Sequence, residues 1–295
     1  MPEQLQSHDY ADAVAGNLRG YDSLKTAAYS SGAPHLLHDS VRNLYRSLAD
    51  QIARRYPGGH VLDLGAGEGG ATAEFLERGL RVTAVDLSSS QLEALKGRCA
   101  HHGANLQTIQ GDVLGVLDSL VEQYDAVALI SFAHHVPDYI QLLEVCARSL
   151  KPSGSILTFQ DPVLWGSRGL LSHTFSRLAY FAWRIAQGDV WGGLRRHLRR
   201  KVLGVYLSND PKDNEEYHAV RNGLDQHAMA RSLEAQGFSC HIYYYFSTQG
   251  MIWQWIGERL RAENSFGLIA SSERVAIARD LGGTEPQPNR VNRLE

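Results

Sequence analysis

Within this chain of 295 residues, the glycines and acids between His60 and Val113 have types and spacing that could do chemistry. Val61-Leu62-Asp63-Leu64 is a short apolar run, and it ends at once in Gly65-Ala66-Gly67-Glu68-Gly69. Glycine takes positive φ at little cost and lets a ligand lie against the backbone. A glycine turn between a strand and a helix, at the carboxyl edge of an open α/β sheet, is a floor for a nucleotide-like ligand. The third glycine comes one residue earlier than in the G-x-G-x-x-G of dinucleotide sites. A second run, Leu80–Asp86, ends in an acid 17 residues past Gly69. An acid there can accept hydrogen bonds from both ribose hydroxyls. A third run, Leu106–Gln110, leads into Gly111-Asp112-Val113, where an acid can receive an exocyclic amine. Singly, each reads as a turn or a helix cap. In this order, at three successive strand ends, they describe one ligand site.

A fourth run, Tyr124–Ile130, is followed by Ser131-Phe132-Ala133-His134-His135-Val136. Histidine titrates near neutrality and can take a proton from a phenol, hydroxyl or amine. His134 and His135 are therefore candidate catalytic bases. In the plainer alternative, one caps the next helix and the other packs beneath the ligand. Phe132 reads equally as a ligand shield or as core. Tyr21, just ahead of a helical pattern, is a candidate to close the site from the N-terminal side, with His35 and His38 behind it. Arg195-Arg196-His197-Leu198-Arg199-Arg200-Lys201 could hold a phosphate or carboxylate, but reads more simply as a solvated helix face. No metal site is expected. The adjacent pairs His101-His102 and His134-His135 would diverge by about 100° on a helix.

These residues need a scaffold that delivers several strand ends to one edge. Helical patterns at Gly70–Arg78, Ser89–His101 and Tyr139–Leu150 alternate with the strands, and Ser155–Phe159 is a fifth strand. Such alternation implies parallel βαβ units with helices on both faces. A helix at Asp225–Gln236 and two further strands, Ser239–Phe246 and Ser265–Ala270, complete the pattern. The expected fold is α/β: a Rossmann-like, doubly wound, seven-stranded, mostly parallel sheet with one antiparallel edge. The domain layout expected is an N-terminal helical segment over 1–55 that covers the active site and a ligand-binding core over 56–161. An aromatic-rich helical cap over 162–222, expected to cover the active site on the substrate side, a C-terminal helix with edge strands over 223–273, and a tail over 274–295 follow.

VLDLGAGEG, AVDLS, QGDV, YDAVALI and LKPSGSILTFQDP, in that order, resemble the successive motifs of class I S-adenosylmethionine-dependent methyltransferases of the small-molecule, quinone and secondary-metabolite type. The resemblance implies S-adenosyl-L-methionine as cofactor. It places Asp63 near the sulfonium and amino-acid end, and Gly65 and Gly67, with Ala66 between them, against the methionine. It gives Asp86 the ribose, Leu87 the adenine face, Gly111, Asp112 and Val113 the adenine edge, and Ser131 the methionine part. Gln91 completes the expected cofactor contacts. An N-terminal tyrosine closes the site in similar enzymes, the role foreseen for Tyr21.

The expected function is methyl transfer to a small, fairly apolar acceptor at oxygen, nitrogen or carbon, in bacterial secondary metabolism. The aromatic content of the cap motivates the word apolar. C-methylation with cyclisation, a non-catalytic cofactor-binding protein and a nicotinamide-dependent oxidoreductase are the alternatives. A net charge of −3 and pI near 6.5 give no global field for nucleic acid. No nucleic-acid or membrane partner is expected, and a homo-oligomer stays open. Cys99, Cys146 and Cys240 are widely spaced and odd in number, which fits free thiols in a reducing cytoplasm. The N-terminus has no signal-peptide pattern.

Overall fold

Short apolar runs that end in glycine or an acid, each followed by apolar residues at helical spacing, set the alternation of elements. The computed structural model describes residues 10–19, 38–121, 123–186, 190–205, 207 and 217–272. A helix over 10–19 (α1) precedes α2 (Asp39–Arg55), β1 (His60–Leu64), α3 (Gly70–Glu77), β2 (Arg81–Asp86), α4 (Ser89–Arg98), β3 (Leu106–Gln110), α5 (Val113–Leu117) and β4 (Tyr124–Ile130). Then come α6 (Tyr139–Ser149), β5 (Leu150–Pro162), α7 (Leu170–Ala186), α8 (Val190–Val202), α9 (Tyr217–Val220), α10 (Gln226–Glu234), β6 (Phe238–Tyr245), α11 (Met251–Arg259) and β7 (Ser265–Ser272).

The seven strands form one sheet in the order β3-β2-β1-β4-β5-β7-β6. The first five in this order are mutually parallel, and β7 runs antiparallel to both neighbours. The antiparallel strand is thus second from the edge, and the outermost strand β6 is again parallel to β5. Chain order reverses between β1 and β4, which opens a crevice above their carboxyl ends. Leu62 and Leu64 face Leu142, Leu143, Met229 and Leu233 of α6 and α10. Val61, on the other face, meets Leu48, Ile52, Phe75 and Leu95 of α2, α3 and α4. Burial on both faces explains why these strands read as continuous apolar runs. Each fully buried leucine or phenylalanine contributes about 1.5–3 kcal/mol.

Three acids double as helix caps. Asp112, Asp138 and Asp225 accept backbone N–H bonds at the starts of α5, α6 and α10. The fifth strand starts at Leu150 rather than Ser155. Leu150 pairs with Tyr124 ahead of an irregularity in register, and there Pro152 withholds no ladder donor. The helix read over Ser89–His101 ends at Arg98, and a 3-10 segment broken at Gly103 follows. Helix α11 lies where only a connection was expected. The insertion is clipped at its base by a bridge between Val163 and Leu224. Tyr21, His35 and the 274–295 tail lie outside the described residues. His38 is buried, its Nε2 2.6 Å from the Thr248 carbonyl, and packs α2 onto the loop after β6. Cys99 and Cys146 are buried free thiols, whereas Cys240 is only half-buried.

Candidate cofactor and methyl-transfer site

The glycine turn after β1 is tied to β2 by its backbone. The Gly65 and Ala66 amides donate to the Val85 carbonyl at 2.9 and 3.1 Å. Gly65 and Gly67 hold φ of 69° and 52°, a region that favours glycine. A β-carbon at Gly65 would fall 2.1 Å from the Phe132 ring. Phe132 therefore lies directly on this turn. The Gly67 amide donates to Asp86 Oδ2 at 2.8 Å, and the Ser88 amide donates to Oδ1 at 2.9 Å. Two backbone donors hold the Asp86 carboxylate in place and leave lone pairs for further donors. They also counter burial, which pushes its pKa up.

Asp63 lies beneath this turn, 1% exposed. Its Oδ2 accepts from the Thr72 hydroxyl at 2.5 Å, while Oδ1 has no hydrogen-bond partner. Burial, with Asp86 nearby, pushes its pKa up to about 6. An orphaned buried carboxylate oxygen is costly unless a donor arrives. Oδ1 is thus suited to a cationic ligand group.

Above the turn is a cleft of about 800 Å³, open mouth included. Its walls include Gly65, Gly67, Asp86, Leu87, Gln91, Gly111, Asp112, Val113 and Ser131, all expected from the sequence. Asp63, Ala66 and His134 do not line it. Ala66 is buried in the turn, and, against the expectation of a cap over the site, no described residue of the 162–222 insertion reaches the cleft. Helix α1, in the N-terminal segment expected to cover the site, supplies a wall through residues the sequence had not singled out as contacts: Tyr10, Val14, Asn17 and Leu18. The Tyr10 hydroxyl donates to Asp112 Oδ1, and burial together with that bond pushes the phenol's pKa up. Asn17 Oδ1 is buried without a partner. The signal was present, since Tyr10, Val14 and Leu18 recur at i, i+4 and i+8 on one helix face.

The two candidate histidines occupy different positions. His135 lines the cleft. His134 Nδ1 is 2.8 Å from Asp161 Oδ1, and the His134 amide donates to the same oxygen at 3.1 Å. The two rings lie 4.2 Å apart, tilted by 36°. Asp161 is fully buried, and burial raises its pKa well above the carboxylate range. Its position follows from the backbone. Gln160 has φ of 66°, and the pairing of β5 with β7 shifts register between Thr158 and Asp161. A bulge of this kind re-aims a side chain. On the adjacent strand end, Ser131 has φ of 56° and its amide donates to the Phe159 carbonyl at 2.6 Å. Strain of about 1–3 kcal/mol per such residue clusters at functional sites. His218 of α9 meets the Val136 and Pro137 carbonyls at 3.0 and 2.9 Å, which anchors the loop that carries both histidines.

Among the described residues no group of three His, Cys, Asp or Glu could hold a metal ion. Tyr245 of β6 is half-buried and stacked on Phe159 at 4.9 Å, and its hydroxyl accepts from the Gln160 amide.

Comparison with known proteins agrees with this geometry. Residues 61–154 match the methyltransferase domain family. A ubiquinone biosynthesis O-methyltransferase of Xylella fastidiosa (strain 9a5c) is 35% identical over 155 residues, which are 49% of this chain and 61% of that protein. One of Vibrio cholerae (serotype O1, strain ATCC 39541 / Classical Ogawa 395 / O395) is 34% identical over 100 residues, 34% of this chain and 40% of the other. The chain therefore spans between 40% and 61% of the length of these curated relatives. A solved structure from Galdieria sulphuraria, provisionally described as a sarcosine dimethylglycine methyltransferase, superposes with a TM-score of 0.51. It shares 15% identity, covering 78% of this chain and 85% of that one, and shows the common fold. The domain over 61–154 is of the class I S-adenosylmethionine-dependent methyltransferases. S-adenosyl-L-methionine is the cofactor of that domain.

Proposed function

We propose that this chain transfers a methyl group from S-adenosyl-L-methionine to a hydroxyl oxygen of a small, fairly apolar acceptor. The observation that carries the reading is the histidine pair at the end of β4. His135 faces the cleft, while His134 is held from behind by buried Asp161. The names of the relatives, O-methyltransferases of ubiquinone biosynthesis, support oxygen as the acceptor atom.

The residues present fit the cofactor. Asp86 would take the ribose, Asp112 the adenine edge, and Asp63 Oδ1 the ammonium end. Gly65, Ala66 and Gly67 would lie under the methionine, backed by Ser131, with Leu87 and Gln91 along the nucleoside. The bound sulfonium supplies an already activated methyl group, so the protein's task is to orient the acceptor and hold its proton. His135 would take that proton. His134 and Asp161 act as positioning residues that support the His135 ring. Asn17 and Tyr10 would close the nucleoside side, the role foreseen for Tyr21. Soluble expression in the cytoplasm and a place in secondary metabolism belong to the same proposal.

Calorimetric titration with S-adenosylhomocysteine, with NADH as control, tests the cofactor site. Micromolar binding of the first alone is the expected result. A radiolabelled-methyl assay with apolar phenols and catechols then tests the acceptor. Binding of NADH instead would overturn the reading, as would labelled product carrying its methyl only on carbon or nitrogen.

A further inference from the structure

The insertion carries a second apolar surface in addition to the one it buries. On α7, Phe175 and Ala179 pack against Phe246, Ala262 and Trp253. Phe175 and Trp253 lie 5.5 Å apart. Along another side of the same helix, Leu171, Leu178, Phe181 and Ile185 recur at helical spacing, each more than half exposed. Helix α7 packs against both α8 and α11. On α8 the exposed apolar residues are Leu198 and Val202, and Leu203 beyond its end is 70% exposed. On α11 they are Met251, Ile252 and Trp255, with the Arg259 guanidinium 4.1 Å above the Trp255 ring. Exposed apolar surface on this scale, concentrated on α7 and the two helices packed against it, marks an interaction surface.

Charge selects the occupant. Ten of the 29 Lys and Arg but only five of the 32 Asp and Glu fall in residues 162–222. This segment carries +5 and the remainder of the chain −8, whichever of its arginines are paired. A second copy on the same face would bring two such cationic segments together, and like charges across an interface oppose association. An anionic lipid surface satisfies both features. Apolar side chains enter the acyl boundary, the segment's net positive charge is drawn to the headgroups, and an exposed tryptophan with its arginine suits the interface. Among the described residues no helix is long and apolar enough to cross a membrane, so the contact would be with the surface.

We infer that the exposed face of α7, α8 and α11 docks on an anionic bilayer surface. This inference stands on surface chemistry alone and does not depend on which atom is methylated. The test is co-sedimentation of the full chain with two vesicle preparations. One is phosphatidylcholine only; the other is equal parts phosphatidylcholine and phosphatidylglycerol. Binding at least about tenfold stronger to the second, weakened by added salt, is expected. The double variant Leu178→Glu, Phe181→Glu should cut that binding about tenfold or more. Its S-adenosylhomocysteine affinity and melting temperature should not change, because both positions are exposed. Equal binding to the two vesicles, or binding to neither, would overturn the inference. So would a concentration-dependent dimer in sedimentation that the same double variant abolishes, because a second copy would then be the occupant.

Discussion

The strand-end cradle from Gly65 to Val113 and the insertion from Val163 to Leu224 are held in shape by different things. In the cradle, backbone amides fix the carboxylates, and Gly65 has no room for a β-carbon under Phe132. Each position there has one acceptable residue type, or few. In the insertion, helices are placed by an apolar stripe on their inner side, and their outer side is set by composition and net charge. Single substitutions should therefore be severe in the first region and mild in the second. A ligand gripped by convergent hydrogen bonds needs such rigidity, whereas a surface that meets a fluid partner does not.

The largest expected effect lies at the junction of the cradle and the chemistry. His135→Ala should lower turnover by about 10²–10⁴, with S-adenosylhomocysteine affinity changed only a few-fold. If His134→Ala proves the more damaging, the base and the positioning residue exchange roles. Asp161→Asn should cost less than His135→Ala and should move the pH profile of kcat, which a merely structural change would not do. Gly65→Ala should destabilise the fold by roughly 1–3 kcal/mol through the left-handed backbone and the collision with Phe132. Differential scanning calorimetry would show this, and a wild-type melting temperature would refute the account of the turn. Asp86→Ala should weaken S-adenosylhomocysteine binding by roughly 1–3 kcal/mol. An unchanged binding constant would move the ribose elsewhere.

Acidity offers a subtler test. Asp63 titrates at about 6 because it is buried. A raised pKa means that the free protein holds a proton there below that value, and a cationic ligand group competes with this proton. S-adenosylhomocysteine affinity should therefore fall as pH is lowered from about 7 to about 5, and level off above about 7. Asp63→Asn should bind more weakly at neutral pH and lose that dependence. The smallest effect belongs to the insertion: Leu178→Glu alone should change stability by no more than about 0.5 kcal/mol. A large loss would mean that this side of α7 is covered within the chain.

Legibility in the sequence followed the same division. β1, β2 and β4 could be read because burial on both faces writes strands as apolar runs, whereas the edge strand β3, with no buried residue, could be read from the glycine and acid that follow it. Asp86 and Asp112 could be placed from this rule alone. Asp161 obeys it too, as the acid at the end of β5. What could not be read was the left-handed Gln160, which turns Asp161 toward His134. An N-terminal helical cover was expected, but Tyr10 was not picked over Tyr21 as its contact, because the four-residue recurrence of α1 is short and its docking partner, Asp112, is 102 residues away. Helix α11 was missed because its tryptophans suit a strand or a loop as well as a helix. The outward face of α7 has the same residue types as its inward face, so the aromatic content of the segment did not reveal which side would be left uncovered.

The contact between Tyr10 and Asp112 has a kinetic consequence. On the proposed placement of the adenine, its exocyclic amine needs the carboxylate that the phenol already holds. Loading the cofactor then exchanges one hydrogen bond for another, so little enthalpy is gained at that end of the nucleoside. The same exchange runs in reverse on release, where the phenol can reclaim the carboxylate as S-adenosylhomocysteine leaves. Residence time, more than affinity, would be what this tyrosine sets.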